Sequence, residues 1–97
     1  MRYEIILAPE AVEDLNQLRA VDCSAVKLAL EEHLRFEPQK ESKSRIKKLK
    51  GLKQPQYRLR INEYRIFYDV TGSEVQVLAI VAKSVAAKWL EEKWEKI

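Results

Sequence analysis

The sequence predicts an α+β domain: a small, mostly antiparallel twisted sheet with an N-terminal helical hairpin and a C-terminal helix. Three observations predict it. Residues 57–81 hold three apolar-alternating runs separated by tight-turn signals, the mark of consecutive antiparallel strands. Residues 9–36 carry apolar side chains at helical spacing instead. Residues 84–97 return to that helical spacing after the last strand.

The elements follow in order. Tyr3 to Ala8 reads as a strand, with Tyr3, Ile5 and Leu7 alternating against Glu4 and Ile6. Pro9 suits the first turn of a helix, and Glu10, Glu13 and Asp14 favour its positive N-terminal end. Val12, Leu15 and Leu18 form its expected inward stripe. Asp22 is the expected N-cap of a second helix reaching about Phe36, with Val26, Ala29, Leu30 and Leu34 facing inward. Glu37-Pro38 ends it, because a residue before proline avoids the helical region. Such close helices suit an antiparallel hairpin. Gln39 to Ser44 is a polar connection. Ile46 and Leu49 open a short strand ending near Gly51, and Lys53-Gln54-Pro55 is a loop. Strands at Tyr57–Ile61, Tyr64–Val70 and Val75–Val81 come next. Ser84 is the expected cap of the last helix, which places Val85, Lys88, Trp89, Glu92 and Lys93 at i, i+3, i+4 spacings and runs to Ile97. The order is summarised as β-α-α-β-β-β-α.

At 97 residues the chain suits one domain, residues 1–97, with one modest core and no deep cofactor cleft. Cys23 is the only cysteine, so no internal disulfide or cysteine metal set can form, and a reducing compartment fits. The N-terminus lacks an apolar run long enough for a signal segment or a membrane span. A cytoplasmic protein without a membrane partner is therefore expected. There is no glycine-rich phosphate loop, no Cys/His metal spacing and no serine in a His/Asp setting. Neither a metal nor a small-molecule cofactor is expected.

Charge distribution says more than net charge, which is only +3. Lys40 to Arg65 contains ten basic residues (three of them strand arginines) against Glu41 and Glu63, a local net of +8. The other 71 residues carry −5. Such segregation points to a polyanion partner for the middle of the chain.

Turn chemistry places the arginines. Thr71-Gly72-Ser73-Glu74 reads as a hairpin with a two-residue turn and a positive φ at Gly72. That register sets Val70 against Val75, Tyr68 against Val77, Ile66 against Ala79 and Tyr64 against Val81. Asn62-Glu63, read as a second two-residue turn, sets Ile61 against Tyr64, Leu59 against Ile66 and Tyr57 against Tyr68. Both registers put the same apolar set on one face; a one-residue slip would expose all of it. The other face then holds Arg58, Arg60, Arg65 and Phe67, with Arg60 directly across from Arg65. Facing like charges destabilise a strand pair unless an anion bridges them. Guanidinium forks bind phosphate in a bidentate manner that lysine cannot match. Lys83 lands at the Asn62–Glu63 end of the same region. The competing reading is a salt-bridged outer face, with Asp69 or helix acids neutralising the arginines.

These residues resemble a known family. Ile46-Lys47-Lys48-Leu49-Lys50-Gly51, then Tyr57-Arg58-Leu59-Arg60, then Tyr64-Arg65-Ile66-Phe67-Tyr68-Asp69 is similar to the RelE/ParE toxin superfamily. The length and element order match as well. Members are the toxin halves of toxin–antitoxin pairs. The RelE branch cleaves mRNA in the ribosomal A site, and the ParE branch poisons DNA gyrase; a catalytically weak or inactive relative that keeps RNA or antitoxin binding is the remaining expectation. The resemblance implies a cognate antitoxin and, for a RelE-type protein, mRNA in the ribosome as partners. It implies catalytic roles for Arg58, Arg60 and Arg65, with Lys83 standing where the family has an arginine. Lys47, Lys48, Lys50, Lys53, Phe67 and Trp89 are the expected RNA contacts.

The implied chemistry is metal-free: the 2′-hydroxyl attacks the adjacent phosphate and leaves a 2′,3′-cyclic phosphate. A base, a stabiliser of the phosphorane and an acid are needed. Arg65 is assigned to the transition-state phosphate, Arg58 and Arg60 to backbone phosphates, and Lys83 to assistance or proton abstraction. Trp89 occupies the position where the family commonly has a tyrosine, and an indole cannot transfer the proton. It can stack on a base or anchor the last helix. Tyr57, Tyr64 and Tyr68 fall on the core face. His33, the only histidine, lies on the second helix near its apolar stripe.

Overall fold

The structure, a computed structural model, describes residues 1–93. Residues 94–97, assigned above to the last helix, lie outside the described residues. The elements are β1 (Glu4–Leu7), α1 (Pro9–Asn16), α2 (Ala20–Leu34), β2 (Ile46–Lys48), β3 (Tyr57–Ile61), β4 (Tyr64–Thr71), β5 (Glu74–Ala82) and α3 (Lys83–Lys93). They form an α+β fold around one five-stranded sheet of order β1-β5-β4-β3-β2. The sheet holds one strand more than the β-α-α-β-β-β-α summary. Short β2 is a full ladder member, pairing antiparallel with β3. Only the β1–β5 pairing is parallel.

Both turns form as their chemistry requires. Ile61 pairs with Tyr64 across Asn62-Glu63, where Asn62 takes a φ of 50°. Asparagine tolerates that left-handed conformation. Thr71 pairs with Glu74 across Gly72-Ser73, and Gly72 has a φ of 60°. The β3–β4 register matches expectation throughout. The β4–β5 register matches only as far as Tyr68–Val77. A bulge then leaves Leu78 without a partner, so Ile66 faces Ile80 and Tyr64 faces Ala82, in place of Ala79 and Val81. The extra residue in β5 keeps Val77 and Ile80 on the same side despite their odd separation. Composition alone carries no mark of it.

The main core joins one sheet face to α1 and α2. Ala11 and Leu15 come from α1; Val26, Ala29, Leu30 and Leu34 come from α2; Tyr57, Leu59, Ile61, Ile66, Tyr68, Val75, Val77 and Ile80 come from the strands. Val12, expected inside, is 43% exposed, and Ala11 takes its place one position earlier on the helix. Tyr57 and Tyr68 stack at 5.4 Å between ring centroids, and the Tyr68 hydroxyl donates to the Pro38 carbonyl. Burial pushes the Tyr68 phenol far above its ordinary pKa.

Two expected caps are not caps. α2 begins at Ala20, so Asp22 lies inside its first turn and accepts a bond of 3.0 Å from the Tyr64 hydroxyl. α3 begins at Lys83, so Ser84 is its second residue. The Lys83 backbone N–H donates to the Glu63 carbonyl at 2.7 Å and ties α3 to the β3–β4 turn. A second, smaller core lies on the opposite sheet face. Phe67 is fully buried, its Cα partner Ala79 likewise, and Ala86 of α3 is buried with them. Trp89 lies flat on Phe67 at 4.9 Å and 5° between ring planes.

Candidate functional site

Strand alternation sends Arg58, Arg60, Arg65 and Phe67 to the face opposite the main core. The register arranges them in two rows across the sheet. Lys47 opposes Arg58, Arg58 opposes Phe67 and Phe67 opposes Ala79. In the next row Arg60 opposes Arg65 and Arg65 opposes Val81. α3 covers the β4–β5 side of this face through Trp89, so the β2–β3 side with its cations stays open.

The three arginines sit in different settings. Arg60 is exposed. Arg58 is half-buried, and its Nε is buried without a hydrogen-bond partner. Arg65 is 7% exposed, and one of its terminal nitrogens donates to the carbonyls of Asn62 at 3.2 Å and Tyr64 at 2.9 Å. That pair of bonds holds the Arg65 charge in place under the turn. Burial, then the charges of Arg65 and Arg60, draws the Arg58 guanidinium below its ordinary pKa. Burial and then Arg60 do the same to Arg65, with Glu63 opposing. Guanidinium remains charged through such shifts, so the cluster is a set of crowded, partly desolvated cations.

Among the described residues no carboxylate pairs with it: none of the three arginines forms an ion pair. Asp69 lies on the same face by alternation, but its carboxylate accepts from the Gln54 amide and from the Gln56 N–H at 2.8 Å. Those bonds commit Asp69 to holding the loop before β3. Asp69 therefore does not neutralise the arginines, and no described helix acid forms an ion pair with them.

The remaining expected contacts scatter. Lys47 shares the Arg58 face, whereas Lys48, one residue on, points to the other side, and its N–H donates to Glu41 at 3.0 Å. Lys50 and Lys53 are exposed in the loop between β2 and β3. Phe67, expected to be open to a ligand on the basic face, is sealed beneath Trp89 because the small core claims it. Trp89 is the half-buried cover of that core. Lys83 is exposed at the start of α3, across from Glu63. Tyr57 and Tyr68 are buried in the main core, and Tyr64 is held by Asp22. His33 is half-buried on α2 near Glu32, on the side of the sheet away from the arginines. Among the described residues no three His, Cys, Asp or Glu side chains cluster as metal ligands would, and no helix is long and apolar enough to cross a membrane.

One cation was missed. Arg45 immediately precedes β2, and its carbonyl accepts the Arg60 N–H at 2.9 Å. It therefore extends the Arg60–Arg65 row to the sheet edge. The signal in the sequence is the spacing: Arg45 lies two residues before Lys47, so it shares the Lys47 face once β2 pairs with β3.

The chain as a whole is similar to known proteins. Residues 5–84 match the family described as the ParE toxin of the type II toxin–antitoxin system parDE. Among curated protein sequences none matches significantly. Solved structures share the fold. The archaeal RelE–RelB complex from Pyrococcus horikoshii is 25% identical, with a TM-score of 0.70, covering 89% of this chain and 100% of that one. The RelB–RelE antitoxin–toxin complex from Methanococcus jannaschii is 24% identical, with a TM-score of 0.66, covering 88% and 98%. The RelBE2 toxin–antitoxin complex from Mycobacterium tuberculosis is 21% identical, with a TM-score of 0.66, covering 84% and 99%. With four-fifths of its length matched, the chain belongs to the ParE toxin family, within the RelE/ParE superfamily of type II toxin–antitoxin toxins.

Proposed function

We propose that this toxin is a ribosome-dependent mRNA endonuclease and that Arg58, Arg60 and Arg65 hold the reacting phosphate. The observation that carries the reading is the cluster itself: three crowded guanidiniums, none paired with a carboxylate among the described residues, one with a buried, unpartnered Nε. A phosphate supplies the missing charge and the missing acceptors together.

In this mechanism the 2′-oxygen attacks phosphorus and the bond to the 5′-oxygen breaks. The products are a 2′,3′-cyclic phosphate and a 5′-hydroxyl. Charge builds on the phosphorane oxygens between these states. Arg58 and Arg60 have donors to meet it, and Arg65 positions its charge behind them through its two carbonyl bonds. One such preorganised donor contributes about 3–4 kcal/mol to a transition state. Lys83, at the turn end of the row, gives a proton to the leaving 5′-oxygen, and the 2′-proton passes to water. The partners of this reading are mRNA in the ribosomal A site and a cognate antitoxin, as in the RelB-bound relatives.

The test is expression in translating extracts. Wild-type protein should cut transcripts there and leave naked RNA intact. Arg58→Ala should lower cutting by about 100–1,000-fold, and Arg58→Lys should recover little, because a point charge lacks the fork. Intact mRNA at doses that arrest growth would sink the proposal. The match to the ParE toxin family favours one second reading, a gyrase poison. It predicts a DNA damage response with intact mRNA and no dependence on Arg58.

A further inference from the structure

The β2 edge extends the arginine cluster beyond the reacting phosphate. Arg45 and Arg60 flank a polar cleft of about 470 Å³ completed by Ser44, Asn62 and Glu63. Ser42 Oγ accepts the Arg45 N–H at 3.0 Å and turns it away from the ladder, while the Arg45 guanidinium donates to the Arg60 carbonyl at 3.3 Å. That single bond lays the side chain along the row and leaves its other N–H donors to the cleft. Arg45 forms no ion pair among the described residues, although Glu63 lines the same cleft. Adjacent strands lie about 4.8 Å apart, so Arg45 to Arg65 spans about 10 Å across three strands. That backbone span suits two successive phosphates of an extended strand, one toward Arg65 and one toward Arg45.

We infer that Arg45, with Arg60, forms a second phosphate subsite, so that a single strand of RNA crosses the sheet from β4 toward the β2 edge. The inference rests on the phosphate reading of Arg58, Arg60 and Arg65. It adds a direction of travel and a residue that makes no contribution to bond breaking. Arg45 grips the phosphate next to the reacting one. Glu63 repels phosphate from the turn end of the cleft and so confines it between the two guanidiniums.

The probe is a set of 2′-O-methyl oligonucleotides with one, two or three phosphodiesters, which bind but cannot be cut. Fluorescence anisotropy is read from 20 to 200 mM salt. For the wild-type chain, the second phosphodiester should tighten binding by roughly three- to ten-fold and steepen the log–log salt slope by about 0.7. Arg45→Ala and Arg45→Gln should both lose that gain and keep the affinity for the one-phosphate probe. Arg19→Ala, an exposed arginine on the other side of the sheet, should retain it. Glu63→Gln should tighten the two-phosphate probe. In the extracts, Arg45→Ala should raise the mRNA concentration needed for half-maximal cutting and leave the saturated rate unchanged. An equal gain in wild type and both Arg45 variants, or no wild-type binding at 20 mM salt, overturns the inference. So does a polyglutamate peptide that binds as tightly and depends equally on Arg45, since that assigns the subsite to an acidic protein segment. Because the oligonucleotides are never cut, failure of the endonuclease reading would show in the extracts while the anisotropy result stood.

Discussion

Asp14 of α1 reaches the sheet where the bulge interrupts it. Its carboxylate accepts the Ile80 N–H at 2.9 Å. Burial raises its pKa above the ordinary value, the bond to Ile80 opposes the rise, and Glu13 adds to it. A carboxylate whose folded pKa is raised holds its proton more tightly in the folded state. Its ionisation therefore costs stability above that pKa, and the cost fades as pH falls toward the ordinary value. Asp14→Asn keeps an acceptor for Ile80 and removes the charge. Urea unfolding should show the variant as stable as wild type or more so at pH 7, with the difference narrowing toward pH 4. Asp14→Ala leaves the Ile80 N–H unsatisfied and should cost about 1–3 kcal/mol. Arg60 gives a second residue-scale prediction. It faces Arg65 across the ladder, so Arg60→Gln should stabilise the free protein by about 0.2–1 kcal/mol while weakening phosphate binding. A fall in both would show that Arg60 has a stabilising partner after all.

At the scale of elements, α3 and the β4–β5 hairpin carry the predictions. α3 rests on the far face through Trp89 on Phe67 and through Ala86. Phe67→Ala empties the small core and should cost about 3–5 kcal/mol. Trp89→Ala removes only its cover, so it should cost less and release α3, seen as a loss of near-UV circular dichroism with little change in the far-UV signal of the strands. The hairpin tests backbone conformation alone. Among the described residues nothing beyond its chain neighbours crowds the position a Gly72 side chain would take, yet its φ is 60°. Gly72→Val should therefore cost about 1–2 kcal/mol through strain, and Gly72→Asn much less. Equal costs measured by denaturant titration would argue against this account.

For the whole molecule, the governing feature is segregated charge. The stretch from Lys40 to Arg65 is +8 and the rest is −5. Folding gathers much of that excess on the open half of one sheet face. An anion that binds only the folded cluster stabilises the fold by mass action, about 2.7 kcal/mol at a hundred-fold excess over its dissociation constant. Thermal unfolding in inorganic phosphate should therefore exceed that in chloride at equal ionic strength. Arg58→Ala should erase the excess. If it persists there, the gain comes from general exclusion of phosphate from protein surfaces, and the cluster is not its cause.

Much of this was legible in the chain. Period-two and period-3.6 patterns located the described helices and the strands other than short β2, because burial of one face imposes those periods. The Asn62-Glu63 turn sets Arg60 against Arg65, since a two-residue turn leaves the β3–β4 register no freedom. Val26, Ala29, Leu30 and Leu34 were readable as the buried side of α2. Other features had no local signal. The bulge leaves Leu78 unpaired, and two residues on Asp14 of α1 accepts the Ile80 N–H, a contact between segments far apart in the chain. Asp22 and Ser84 have good capping chemistry, but tertiary partners moved both helix starts past them.

By itself, then, the sequence determined the sheet faces, the turns and the concentration of cations, because each follows from alternation, backbone preference or composition over a few residues. Only the tertiary structure decided which of those cations stay unneutralised. It commits Asp69 to Gln54 and Gln56, seals Phe67 under Trp89, turns Lys48 away from Lys47 and brings Arg45 beside Arg60. Apart from the alternation of Lys47 and Lys48, these depend on contacts between segments apart in the chain, which no local pattern records.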